Sequence, residues 1–130
     1  MNLIVIGVNH QTAPVEVREQ FAIPEARLPE AVKCLTANPG IEEAMIVSTC
    51  NRVELIARAV DGDATIDMQA CLRNLYGFDP QPYRKYLYEY RERDAIRHVF
   101  RVASSLDSID RKSTRLNSSH RSLSRMPSSA

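Results

Sequence analysis

The sequence predicts an α+β domain, a mostly antiparallel sheet with helices packed on it in the order β-α-β-β-α-β-α. Three observations carry that expectation. Residues 2–8 are almost continuous in Leu, Ile and Val, as a strand buried on both faces requires. Two further apolar runs, 44–47 and 53–60, enclose only Ser48-Thr49-Cys50-Asn51-Arg52, a span short enough to be the tip of an antiparallel hairpin. Between the runs lie stretches whose apolar residues recur at helical spacing, each closed by a stop signal.

Taken in order, the first strand is punctuated by Gly7 and followed by a polar loop, Asn9 to Pro14, where a rigid strand would hold accessible binding groups. Pro24 and Glu25 open a helix with Leu28, Ala31, Val32 and Leu35 on one stripe, stopped by Asn38-Pro39-Gly40. After the hairpin, Asp61-Gly62-Asp63 marks a turn. Met68, Cys71, Leu72 and Leu75 then trace a second helix that ends at Gly77. Pro80 and Pro82 belong to a loop, and Tyr86 to Tyr90 has strand-like propensity. Asp94 is placed to cap a third helix with Ala95, Val99 and Val102 inward and His98 at the border of that stripe.

A chain of 130 residues has room for one such domain and not for a second. With 44% hydrophobic and 25% charged residues, and apolar runs far shorter than a bilayer span, the expected class is soluble, cytoplasmic and free of membrane contact. The opening residues lack a basic leader and read as a strand, not a signal peptide. Cys34, Cys50 and Cys71 are an odd number without a CxxC pair, so free thiols are expected, with neither a disulfide framework nor a metal site.

Charge is unevenly spread. Residues 1–110 hold 12 basic against 16 acidic groups, a balance of −4, so composition gives this body no nucleic-acid footprint of its own. Residues 111–130 hold five cations, seven serines and no acid, without apolar periodicity, which predicts a disordered tail over 110–130. Arg-Lys-Ser-Thr-Arg-Leu-Asn-Ser-Ser-His and Arg-Ser-Leu-Ser-Arg-Met-Pro-Ser-Ser-Ala both resemble a translated short-read sequencing adapter. On that reading the domain proper is 1–109 and the tail is non-native, so its cations are no binding patch.

Cys50 is the residue with the most chemistry to offer, because a thiolate attacks activated acyl carbons and a hairpin tip keeps it within reach of a bulky substrate. A free cysteine is by default an inert, small apolar residue. That default is strongest for Cys34 and Cys71, which fall on or beside helical stripes and serve as internal controls. Arg52, two residues on, is either a solvated loop cation or a bidentate partner for a substrate carboxylate. His98 and His10 are either helix-edge and loop histidines or proton-transfer groups, since imidazole titrates near neutrality.

Three blocks then resemble the glutamyl-tRNA reductase family, in family order: Gly7-Val8-Asn9-His10-Gln11-Thr12-Ala13-Pro14-Val15-Glu16-Val17-Arg18-Glu19, Ser48-Thr49-Cys50-Asn51-Arg52-Val53-Glu54, and Arg97 through Ser108. The resemblance implies that Cys50 attacks the ester joining glutamate to the tRNA 3′ end and forms a thioester. NADPH then reduces the thioester to glutamate-1-semialdehyde, the first committed step toward 5-aminolevulinate and the porphyrins. It also implies that Arg52 recognises the glutamate carboxylate, that Thr49, Asn51 and Ser108 line the pocket, that His98 assists at the acyl group, and that Asn9 and His10 form a neighbouring loop. Family members carry a cofactor domain and a C-terminal dimerisation domain beyond this region. No GxGxxG occurs here, so NADPH would bind a domain this chain lacks, and reduction by this chain alone is expected to fail. The competing expectation is a non-catalytic α+β module in which Cys50-Asn51-Arg52 shapes a loop around an anionic ligand.

Overall fold

The computed structural model describes residues 2–60, 66–112 and 121–127, with side chains through 104. Its strands are β1 (Leu3–Asn9), β2 (Ile41–Thr49), β3 (Arg52–Ala59), β4 (Tyr88–Arg91) and β5 (Arg121–Pro127). Its helices are α1 (Val15–Phe21), α2 (Leu28–Thr36), α3 (Met68–Tyr76) and α4 (Glu92–Lys112), with 3₁₀ turns at Glu25–Arg27 and Gln81–Tyr86. The strands form one antiparallel sheet in the order β4-β1-β3-β2-β5.

The two-residue period of the strands sorts the core into two layers. Ile4 and Ile6 of β1, Ala44 and Ile46 of β2, and Leu55, Ala57 and Ala59 of β3 share one face. There they meet Leu28, Val32 and Leu35 of α2 and Met68, Cys71 and Leu72 of α3. Val8, Val53, Val17 and Phe21 extend this layer toward the hairpin end, under an aromatic group in which Phe21 meets Tyr76 and Tyr83 edge to face at 5.2 and 5.4 Å. The opposite face carries Val5, Val47 and Ile56 and is covered by α4 through Ala95 and Val99. Burying each large aliphatic side chain contributes about 1.5–3 kcal/mol, so both layers are needed to hold the sheet.

Helix α3 starts where Asp67 accepts from the backbone N–H of Gln69 and Ala70, and it ends as expected at Gly77, whose φ of 76° lets its N–H return to Arg73. Four features differ from expectation. α1 is an additional element: seven residues show only the single pair Val17 and Phe21 at i, i+4, too little for a periodicity to register. The helix expected from Pro24 begins at Leu28, after the 3₁₀ turn. Asp94 is not the cap of α4. The helix begins at Glu92, directly after β4, with the reversal concentrated at that residue's φ of 55°, and Asp94 stands in its first turn where its charge favours the helix dipole. The fourth concerns the tail expected to be disordered: α4 runs through Lys112 and residues 121–127 pair along β2, Arg121 opposite Thr49 and Pro127 opposite Glu43. The outer edge of β2 presents a row of backbone donors and acceptors, and an extended segment with few side-chain demands satisfies them. The turn expected at Asp61-Gly62-Asp63 lies outside the described residues.

Candidate active site

The expected hairpin is present, and its tip is built from its own side chains. β2 and β3 pair from Ile41 and Ala59 up to Ser48 and Val53. Beyond that point the Thr49 hydroxyl oxygen accepts from the backbone N–H of both Asn51 and Arg52 at 3.1 Å. The bend is thereby closed without glycine or proline. Cys50 and Asn51 are exposed at its apex.

Register places Arg52 and Glu54 on the sheet face beneath α4. Glu54 is fully buried, and three donors converge on its Oε2: the Arg52 guanidinium at 3.2 Å, the Tyr88 hydroxyl and the His98 Nε2. Its Oε1 accepts from no described group. Burial, and next the Glu54 carboxylate, push the Tyr88 hydroxyl far above the ordinary phenol range, so it stays protonated and acts as a donor. His98 is itself buried and lies over the rings of Tyr88 and Tyr90, at 5.1 and 4.7 Å.

Gly7 explains how a carboxylate fits there. It sits opposite Glu54 on one side and Tyr88 on the other. A Cβ at Gly7 would lie 2.4 Å from the Val53 carbonyl oxygen and 2.9 Å from the Glu54 side chain, so the space is given to Glu54.

At the end of β1, directly opposite Arg52, Asn9 is spent on structure: its Oδ1 accepts from the N–H of Gln11 and Thr12 at 2.9 and 3.0 Å, which closes the loop leading into α1. His10 is exposed in that loop. α1 then delivers Arg18, whose Nη1 donates to the Cys50 carbonyl at 2.9 Å, and the chain just beyond it delivers the Ile23 N–H to the Ser48 hydroxyl at 3.3 Å. Ser108 lies in the C-terminal part of α4, described by backbone alone.

The structure therefore gathers Thr49, Cys50, Asn51 and Arg52 at one bend and ties His98 to Arg52 through Glu54. Among the described residues no hydrogen bond joins His98 or His10 to Cys50. Glu54, Tyr88 and Arg18 are the members that residue-by-residue reading missed. An acid in an alternating strand reads as solvent-facing, and only Gly7 across the sheet hints that it is not.

The control cysteines behave differently from one another. Cys71 is buried, and burial foremost, with Asp67 and Cys34 nearby, pushes its thiol up despite the Asn38 amide at 3.7 Å. Cys34 is exposed beside its stripe, at a cavity of about 400 Å³ between α2 and the end of α3. Exposure alone thus does not single out Cys50; its place at a buttressed bend beside Arg52 does. Among the described residues no group of His, Cys, Asp and Glu is arranged to hold a metal ion, and no helix is long and apolar enough to cross a membrane.

Comparison with known proteins adds an independent line. The chain is 68% identical over 109 residues to glutamyl-tRNA reductase 2 of Koribacter versatilis, covering 84% of this chain and 24% of that protein. It is 46% identical over 110 residues to the glutamyl-tRNA reductase of Syntrophotalea carbinolica, covering 84% and 25%. The solved glutamyl-tRNA reductase from Methanopyrus kandleri superimposes with a TM-score of 0.57 at 30% identity, over 81% of this chain and 23% of that one. The chain thus spans about a quarter of the length of the relatives it matches. The sequence model for the glutamyl-tRNAGlu reductase N-terminal domain matches residues 6–110, and this chain belongs to that family.

Proposed function

We propose that this domain carries the acyl-transfer half of glutamyl-tRNA reduction, with Cys50 as nucleophile. The observation that carries the reading is an exposed thiol at the apex of a bend closed by Thr49 and braced by Arg18, inside the family's own segment. In the step, the Cys50 thiolate attacks the ester carbonyl carbon of glutamyl-tRNA. A C–S bond forms, the bond to the ribose oxygen breaks, and that oxygen leaves with a proton as free tRNA. The covalent link retains the glutamyl group for a second step.

Arg52 is proposed to receive the glutamate side-chain carboxylate. One of its five N–H donors is engaged by Glu54, which fixes the plane of the guanidinium and leaves the others for a bidentate contact. Thr49 shapes the bend more than it lines a pocket, since its hydroxyl holds two backbone donors. Asn51 and Ser108 complete the proposed substrate side, with Asn9 and His10 contributing the adjacent loop. His98 is proposed to act through Glu54: with Nε2 held by the carboxylate, its ring fixes Glu54 and through it Arg52.

Reduction of the thioester is assigned to NADPH held elsewhere. A strand–loop–helix dinucleotide cradle needs a parallel crossover and clustered glycines. This sheet is antiparallel, and glycine occurs only at 7, 40, 62 and 77, so the residues present do not fit the cofactor. We also read residues 110–130 as foreign to the domain, because the family match ends at 110 and composition changes there. The relatives' homodimerisation, cytoplasmic setting and role in porphyrin formation belong to the same proposal.

The test is transfer of labelled glutamate from glutamyl-tRNA to protein. Cys50→Ser is expected to reduce acid-stable glutamyl-protein and the accompanying release of free tRNA by at least about 100-fold, as removal of a nucleophile does. Cys34→Ser and Cys71→Ser are expected to match the unmodified chain. Retention of adduct in Cys50→Ser would refute the assignment of the nucleophile, and a Cys50 thiol no more reactive than Cys34 or Cys71 would favour the anion-binding module.

A further inference from the structure

Two arginines with described side chains reach the bend, and they differ in what they are paired with. Arg52 reaches it from the α4 side and is neutralised by Glu54, whose side chain is wholly buried against it. Arg18 reaches it from the opposite sheet face and forms no ion pair among the described residues; its one hydrogen bond goes to the Cys50 carbonyl at 2.9 Å. Its Nε is buried without a partner, so part of the guanidinium is withdrawn from water and its charge is screened less than that of a free surface cation.

Arg18 is also held in place. Val17 and Phe21 anchor α1 in the layer formed with Val8, Ala13 and Val53. The Asn9 turn fixes the entry to α1, and the Ile23 N–H to Ser48 contact fixes its exit against β2. The side chain between these anchors therefore meets the Cys50 backbone as a fixed strut.

We propose that Arg18 is a positioning residue for the nucleophile: it pins the Cys50 carbonyl and supplies the uncompensated positive charge at the thiol, which draws an anionic substrate to it. The proposal rests on Cys50 as the reactive thiol and assigns to Arg18 the steering that Arg52, already paired, gives less of. A glutamyl ester on a polyanion is the chemistry that such a charge favours.

The experiment compares alkylation of Cys50 by iodoacetate, an anion, with that by neutral iodoacetamide, each rate read by peptide mapping with Cys34 as internal standard. The unmodified chain, Arg18→Lys and Arg18→Gln are measured. In Arg18→Gln, which keeps a donor but loses the charge, the iodoacetate-to-iodoacetamide ratio at Cys50 is expected to fall about threefold or more, as removal of one unit charge held against the Cys50 backbone implies. The ratio at Cys34 stays constant, and Arg18→Lys keeps the original ratio at Cys50. An unchanged ratio in Arg18→Gln overturns the proposal, as does an equal fall in both variants, which would mark a merely structural role. If instead Cys50 of the unmodified chain reacts no faster than Cys34 with either reagent, the nucleophile assignment fails, an outcome read separately from the ratios.

Discussion

Replacing Glu54 by Gln is expected to destabilise the domain by about 3 kcal/mol, roughly a hundredfold in the folding equilibrium, although the side chain keeps its size. The carboxylate is fully buried and receives Arg52, Tyr88 and His98 on one oxygen. The amide removes the counter-charge of an arginine whose side chain is only 13% exposed, and its NH2, placed where Oε1 stands without a partner, becomes a buried donor with nothing described to accept from it. Desolvation makes this worse than loss at the surface, because neither Arg52 nor His98 can turn to water without opening the contact between α4 and the sheet. In urea unfolding the midpoint is expected to drop while the slope is unchanged, since the area exposed on unfolding is the same. A shift within about 0.5 kcal/mol, the usual range for surface substitutions, would show that the three contacts do not support the fold.

Gly7→Ala is expected to cost about 3 kcal/mol, at or beyond the upper end of ordinary overpacking. The added Cβ meets the Val53 carbonyl at 2.4 Å and the Glu54 backbone at 3.0 Å, so relief requires moving a central strand. Because Gly7 lies between Glu54 and Tyr88, the same displacement should loosen the polar network, and the far-ultraviolet and tyrosine-fluorescence melts should fall together. Gly77→Ala is the contrast: nothing lies within 4 Å of its added Cβ, and only the left-handed backbone opposes it, about 1–2 kcal/mol. Equal costs at both glycines would contradict the packing account.

These two sites also show what the sequence makes legible. β1, α2, α3 and the hairpin follow from period and punctuation, since Ile4, Ile6, Leu28, Val32, Leu35 and Leu72 are where an apolar face demands them. The thiol at the apex follows from the short span between two strands. Glu54 does not, because alternation alone gives Arg52-Val53-Glu54-Leu55 one dry face and one wet face. The face that alternation alone would leave to water is closed by α4, an element more than thirty residues away in the chain. Arg18 is hidden for a related reason: two helical turns leave no periodic trace, and what the residue touches is a backbone carbonyl, for which no residue type is diagnostic. Local pattern reports which face of an element is apolar, whereas the polar network depends on which elements meet.

The central claim is that the thiol at the hairpin apex, and neither of the other two, takes the acyl group. Incubating the chain with glutamyl-tRNA without reductant, then digesting at acidic pH and locating the glutamyl mass by tandem spectrometry, reads this directly. The account predicts the modification on the peptide containing Cys50, with Cys34 and Cys71 unmodified. A glutamyl group on Cys34 or Cys71 with Cys50 bare would contradict it.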